Sequence, residues 1–173
     1  MQENFLLQFL GQVKIFNNLT DEEKLRIIKV CKITQYKKGD VVFVEGAGAD
    51  AVYFIENGMV KVTKSLSSGG EKALATLAKG AIFGEMALID DQERSAKVTV
   101  LSNLNVYKLR KADFDELRKN NDTGANKIVR EMSYIIAGRL RNTNKKISQM
   151  FDDPTNSIEE FKKQYAKMQG DSN

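Results

Sequence analysis

Three textures of apolar spacing divide the chain. Over residues 1–33 apolar positions recur at helical intervals: Phe5, Leu6, Phe9, Leu10 and Val13 mark one helix, and Leu25, Ile28 and Val30 mark another. Thr20 followed by Glu23 supplies a capping-box start for the second. From 33 to 110 the texture changes to short alternating runs, among them Val42 and Val44, Val52 and Phe54, Val60 and Val62, Val98 and Val100, and Val106 with Leu109. Turn signals fall between them at Lys38-Gly39, Gly46 to Gly48, Asn57-Gly58 and Ser68 to Gly70. The spacing predicts several short strands broken at these signals, hence an antiparallel sandwich or a jelly roll, the latter a double-stranded β-helix barrel. After Arg110 the helical period returns at Phe114 and Leu117, then persists from about Gly124 to Phe151. The predicted class is α+β, with N-terminal helices over 1–33, a β-barrel over 33–110 and C-terminal helices over 111–151.

Within the long helix, Val129, Met132, Ile136, Leu140, Thr143, Ile147 and Met150 are spaced by 3, 4, 4, 3, 4 and 3. That is close to a coiled-coil seam, and it fits either packing on the chain's own barrel or a parallel pair across a dimer axis. Thr143 interrupts the stripe with a hydroxyl that costs stability unless a polar group meets it. Pro154 is expected to break the helix, leaving 152–173 as a short tail in which Ile158, Phe161, Tyr165 and Met168 form one apolar face. Such a face needs a partner surface: the barrel, a second copy or an effector protein.

Composition narrows the chemistry. A chain of 173 residues that is 42% hydrophobic and 29% charged can build one core. Neither a membrane-spanning run nor a signal-peptide succession is present in it, so a cytoplasmic protein without membrane contact is expected. The formal net charge of +4 permits attraction to anions but is too small and too scattered to point to nucleic acid. Histidine is absent, which removes the usual general base and the usual metal ligand. The single cysteine, Cys31, reads as a small buried apolar residue after Ile27, Ile28 and Val30. Asp90, Asp91 and Glu93 read as exposed turn punctuation, and no metal or cofactor is expected.

Phe83 to Val98, FGEMALIDDQERSAKV, concentrates the candidate chemistry. Gly84 lets the backbone approach a ligand closely, and Glu85 to Ile89 can form one helical turn whose first N–H groups face an anion. Arg94 supplies a planar, permanently charged fork, and the Ser95 hydroxyl and the Ala96 N–H add neutral donors beside it. A carboxylate in such a cradle would repel phosphate unless it faced a donor, so Glu85 is expected to meet a hydroxyl such as a ribose 2′-OH. The alternative for Arg94 and Glu85 is a structural salt bridge.

This segment resembles the phosphate-binding cassette of the cyclic nucleotide-binding domain family: FGE, then AL, then arginine and two small residues. The likeness extends to KKGDVVFVEG (Lys37 to Gly46), DAVYFIENGMVKV (Asp50 to Val62) and LAKGAIFGE (Leu77 to Glu85), and QERSA is closest to the bacterial catabolite activator branch. The resemblance implies that Gly84 and Glu85 hold the ribose and that Arg94 and Ser95 hold the cyclic phosphate, within a ligand set that also takes in Phe83, Met86, Ala87 and Ala96. It places Thr143 on an adenine-contacting threonine and Asn144 where a serine reaches the other subunit's ligand. Arg139 joins the set on the same helix, although Arg139, Arg141, Lys145 and Lys146 also read as a solvated face. The absence of histidine sets aside the metal-dependent cupin enzymes that share this kind of barrel.

The expectation is therefore a cyclic nucleotide-binding domain over 1–151. It would be a stand-alone receptor for cAMP, with cGMP possible, that dimerises through its long C-terminal helix and signals to an effector protein. With only the 152–173 tail after that helix, direct DNA binding is not expected, and no enzymatic activity is expected. A structural adaptor with a constitutively filled or different-anion pocket is the other reading.

Overall fold

The computed structural model describes residues 2–90 and 92–152. In chain order these form α1 (Gln2–Leu10), a 3-10 turn (Lys14–Phe16), α2 (Asp21–Lys29), β1 (Lys32–Tyr36), β2 (Val41–Phe43), β3 (Ala51–Ser65), β4 (Glu71–Ala78), β5 (Ile82–Phe83), a second 3-10 turn (Glu85–Leu88), β6 (Lys97–Arg110), α3 (Lys111–Lys119) and α4 (Thr123–Asp152). All strand pairings are antiparallel. The fold is the predicted one, an antiparallel jelly-roll core with N-terminal helices and a C-terminal helix.

Two long strands organise it. β3 pairs with β6 from Ala51 opposite Arg110 to Thr63 opposite Lys97; β1 and β2 add to β6, and β4 and β5 add to β3. Residues 51–55 of β3 are buried on both faces. On one face Ala51, Tyr53 and Ile55 join Val60, Phe83, Val98, Val100, Leu104 and Val106 in the barrel interior. On the other, the Phe54 ring meets Phe16 at 5.0 Å, which ties the N-terminal 3-10 turn to the sheet. Aromatic and branched side chains suit such a doubly covered strand because neither face exposes apolar area to water.

Two expectations about the strands are corrected. Asn57-Gly58 is no hairpin turn: β3 runs straight through it, and its register against β6 shifts around Asn57 and Met59 instead. Likewise Val98-Val100 and Val106-Leu109 belong to one strand, β6. The hairpin signal at Ser68 to Gly70 does turn the chain, between β3 and β4, with Leu66 N–H donating to Gly70 O at 3.0 Å. β4, EKALATLA, is exposed along nearly its whole length, so no apolar alternation announced it.

The chain divides into two compact units, Met1–Met132 and Ser133–Asn173. In the first, α4 buries Ala125, Ile128 and Met132, so the stripe predicted from Val129 enters the core only at Met132. In the second, α4 continues with Tyr134, Leu140 and Ile147 exposed. Pro154 and the predicted tail helix lie outside the described residues. No described helix is long and apolar enough to cross a membrane.

Thr20 caps α2 as predicted. Its hydroxyl accepts from the Glu23 N–H and the Glu23 carboxylate accepts from the Thr20 N–H. Glu23 also does more than the motif requires: it is buried and accepts from Thr123 Oγ1 at 2.7 Å and Lys127 Nζ at 2.8 Å, joining α2 to the start of α4. The Lys127 hydrogen bond, with help from Thr123 and Thr20 and against the effect of burial, lowers the Glu23 pKa from 4.5 to about 2. A depressed carboxyl pKa stabilises the fold above the unfolded value and loses that contribution as pH falls through the folded one. Stability is thus expected to decline between pH 4.5 and about 2, with a shallower decline in Lys127→Met, which should also cost about 1–3 kcal/mol at neutral pH by leaving a buried carboxylate short of a donor. Urea unfolding of both proteins across this range tests it, and identical pH profiles would refute the assignment.

Cys31 lies just beyond α2, after the C-cap Val30, not within the helix. It is partly buried, its thiol contacts Ile27 O at 3.4 Å, and burial, aided by the charge of Asp113, pushes its pKa up to about 12. A thiol so disfavoured as thiolate is a poor nucleophile at neutral pH.

Candidate functional site

The end of β5 delivers the chain into a sharp reversal at Gly84. Phe83 is buried in the barrel, its ring stacked on Tyr53 at 4.9 Å. Gly84 then adopts φ +69°, the left-handed region where a side chain is costly, and caps the 3-10 turn Glu85–Leu88. Space is as restrictive as conformation: a Cβ on Gly84 would lie 2.6 Å from Arg94 Nη1 and 3.2 Å from Ala51 O. Glu85, the first residue of the turn, is 4% exposed.

Arg94 closes the other side. Its backbone is strapped to the β2–β3 loop, with Gly46 N–H donating to Arg94 O at 2.9 Å and Arg94 N–H to Ala47 O at 2.8 Å. Its side chain is 3% exposed. Nη1 donates to Gly84 O at 3.2 Å, and Nη2 donates to Ala51 O at 2.8 Å and Asp50 Oδ1 at 3.2 Å. The guanidinium lies 4.1 Å from the centre of the Phe43 ring, a cation–π contact that offsets part of its desolvation. Among the described residues Arg94 Nε is a buried side-chain donor without a hydrogen-bond partner. A buried donor in that condition costs free energy until an acceptor reaches it.

The carboxylate partner of Arg94 is therefore Asp50, a residue that the sequence pattern did not single out. Asp50 stands where an exposed acid before an apolar run reads as punctuation, and only the fold brings it to position 94. Its other oxygen accepts from Lys108 Nζ at 3.0 Å. Partial burial pushes the Asp50 carboxyl up, but Lys108, by hydrogen bond and charge, together with Arg94, outweighs this, and the net shift is downward. Asp50 thus stays ionised beside Arg94 at neutral pH. Phe43 and Tyr53 were likewise unannounced, because an aromatic residue that supports a cation looks the same in sequence as one that fills a core.

The structure brings Phe83, Gly84, Glu85, Met86, Arg94, Ser95 and Ala96 into one neighbourhood, with the Ser95 hydroxyl 3.8 Å from Met86 Sδ. Ala87 takes part through the backbone of the 3-10 turn. Arg139, Thr143 and Asn144 are exposed residues of α4 within the second unit. The described residues hold no cluster of three or more His, Cys, Asp or Glu suited to a metal ion. A concavity of about 470 Å³ lies near Gln8, Glu56 and Lys79 and shares no residue with the cassette. The built-in demand for an acceptor lies at Arg94, so the cassette is the better candidate site.

A jelly roll that holds a buried arginine fork against a glycine-capped 3-10 turn has the donors suited to a small anion. The match of residues 33–121 to the cyclic nucleotide-binding domain model makes the class specific: the chain belongs to that family. It is 36% identical over 109 residues to a cAMP-dependent protein kinase regulatory subunit of Debaryomyces hansenii, covering 63% of this chain and 23% of that one. It is 32% identical over 138 residues to glutaminase 1 of Bradyrhizobium diazoefficiens, covering 80% and 22%. The chain thus spans under a quarter of the length of these relatives. Among solved structures, the Thermus thermophilus catabolite activator protein superposes with a TM-score of 0.72 at 26% identity, over 79% of this chain and 62% of that one. A cyclic nucleotide-binding domain from Methylobacillus flagellatus gives 0.74 at 23% identity, over 84% and 82%.

Proposed function

We propose that this chain is a cyclic nucleotide receptor that prefers cAMP, admits cGMP and performs no catalysis. In this reading Arg94, Ser95 and the Ala96 N–H take the cyclic phosphate, Gly84 and Glu85 take the ribose, and Phe83, Met86 and Ala87 complete the wall. The observation that carries it is the buried Arg94 Nε without a partner, next to a glycine whose space a Cβ would close. A phosphate oxygen supplies the acceptor that this donor needs, with a charge-assisted bond of the stronger kind. The similarity to a cAMP-dependent protein kinase regulatory subunit supports the choice of ligand.

The exposed apolar residues of α4, together with Thr143, support a second step. Occupancy passes to an effector through that helix, which pairs with its copy in a homodimer in the cytoplasm and meets the adenine edge through Thr143 and Asn144, with Arg139 nearby. Ligand moves such a helix only by binding its two positions unequally, and a base capped by Thr143 supplies that difference.

Calorimetric titration with cAMP, cGMP and 2′-deoxy-cAMP, with sedimentation in each state, tests both steps. cAMP is expected to bind best, and the deoxy analogue at least about tenfold more weakly, because Glu85 would lose its hydroxyl partner. Equal binding of the deoxy analogue would remove Glu85 from the site. A monomer in every state would remove the dimer, and failure of all three nucleotides would favour the adaptor reading.

A further inference from the structure

The Ser95–Ala96 peptide is held by a residue outside the cassette. Ser95 O accepts from Lys64 Nζ at 2.9 Å, and the same ammonium lies 2.6 Å from Glu45 Oε1. The second Glu45 oxygen accepts the Ser65 N–H at 2.9 Å, so this carboxylate ties the loop after β2 to the end of β3. Lys64 continues the alternation of Val60 and Val62, which pack toward the barrel interior. The intervening Thr63 instead binds Glu71, which also holds Lys97, and these three form a separate set.

The geometry of one peptide plane gives this contact its consequence. A trans peptide holds its C=O and N–H antiparallel, and no cis peptide occurs among the described residues. With Ser95 O drawn toward Lys64, the Ala96 N–H of that plane faces the opposite way. The preceding residue is fixed independently, since both Arg94 backbone groups bond the 46–47 segment. The Ser95–Ala96 plane follows the strapped Arg94, and the bond from Lys64 Nζ to Ser95 O holds it.

We propose that Lys64, anchored by Glu45, is a positioning residue for the phosphate site: it orients and polarises the Ser95–Ala96 peptide so that the Ala96 N–H is ready for a phosphate oxygen. This rests on the reading that the phosphate binds at Arg94 to Ala96. The pair is poorly placed to act through stability, because its side chains are 46% and 26% exposed and such ion pairs add little to folding. The alternative, that Lys64 merely adds positive potential near the ligand, differs in sign. If potential were all, neutralising Glu45 would tighten nucleotide binding. If position matters, the same change releases Lys64 from Ser95 O and weakens it.

The test compares wild type, Lys64→Met, Lys64→Arg and Glu45→Gln in cAMP titrations, after urea unfolding has shown all four equally stable. Lys64→Met is expected to raise Kd about 10–30-fold, the lower part of the range of one charge-assisted hydrogen bond, while Lys64→Arg stays within about threefold and Glu45→Gln binds more weakly than wild type. In nucleotide-free protein, Lys64→Met should also shift the Ala96 amide resonance. Tighter binding by Glu45→Gln, unchanged binding by Lys64→Met or an undisturbed Ala96 amide would each overturn the proposal. Failure of wild type to bind overturns the reading of the site itself, and the nucleotide-free amide measurement keeps that result apart from a failure of the positioning role.

Discussion

Arg94→Ala is expected to weaken cyclic nucleotide binding by about 2 to 5 kcal/mol, the range found when one partner of a buried, hydrogen-bonded charge pair is removed. The size follows from the setting. Arg94 is 5% exposed, so water cannot stand in for the missing guanidinium, and a phosphate entering the cradle would be desolvated without a counter-charge. Arg94→Lys should recover only part of the loss, because an ammonium reproduces the charge but cannot satisfy Gly84 O, Ala51 O and Asp50 while also serving a ligand. The fold should survive either change. Asp50 keeps Lys108 and has a side chain that is 65% exposed, so it is not stranded, and Phe43 loses only a cation–π contact. Calorimetry on variants shown to be folded is the measurement, and wild-type affinity in Arg94→Ala would dismiss the phosphate assignment.

Local chemistry made the cassette legible, whereas long-range contacts are what the sequence concealed. Gly84, Glu85, Arg94, Ser95 and Ala96 lie within a short segment, and each residue type carries its chemical role on its face: freedom of φ, a carboxylate, a planar fork, small donors. Asp50, Phe43 and Lys64 reach the same place from β2, β3 and the loop between them, and nothing in their own neighbourhoods marks them. The capping box at Thr20 was legible for the same reason, while the use of Glu23 to clasp Thr123 and Lys127 was not. A glycine turn signal overcounts strands where the glycine lies inside one, as Gly58 does in β3. Periodicity reports which side of an element is covered, and β4, exposed along nearly its whole length, had little to report.

Gly58 shows what the misread signal is for, and Gly58→Ala is expected to destabilise the protein by about 2 to 5 kcal/mol, from a strained backbone and an overpacked strand pair. Its φ is +95°, and a Cβ there would lie 2.4 Å from Asn103 O and 2.8 Å from Leu104 Cα. Both are backbone atoms of β6, which cannot swing aside as a side chain would, so the sheet itself must shift where β3 and β6 change register. Leu104, fully buried in the barrel core, moves with it. Gly39 provides the control: its φ of +94° is nearly the same, yet nothing lies within 4 Å of its would-be Cβ. Gly39→Ala should therefore show the conformational cost alone, about 1 to 2 kcal/mol, and the difference between the two variants measures the clash. Urea unfolding of both against wild type decides the matter. If Gly58→Ala costs no more than Gly39→Ala, then β3 and β6 have room between them at this point, and glycine is required there for its backbone angle alone.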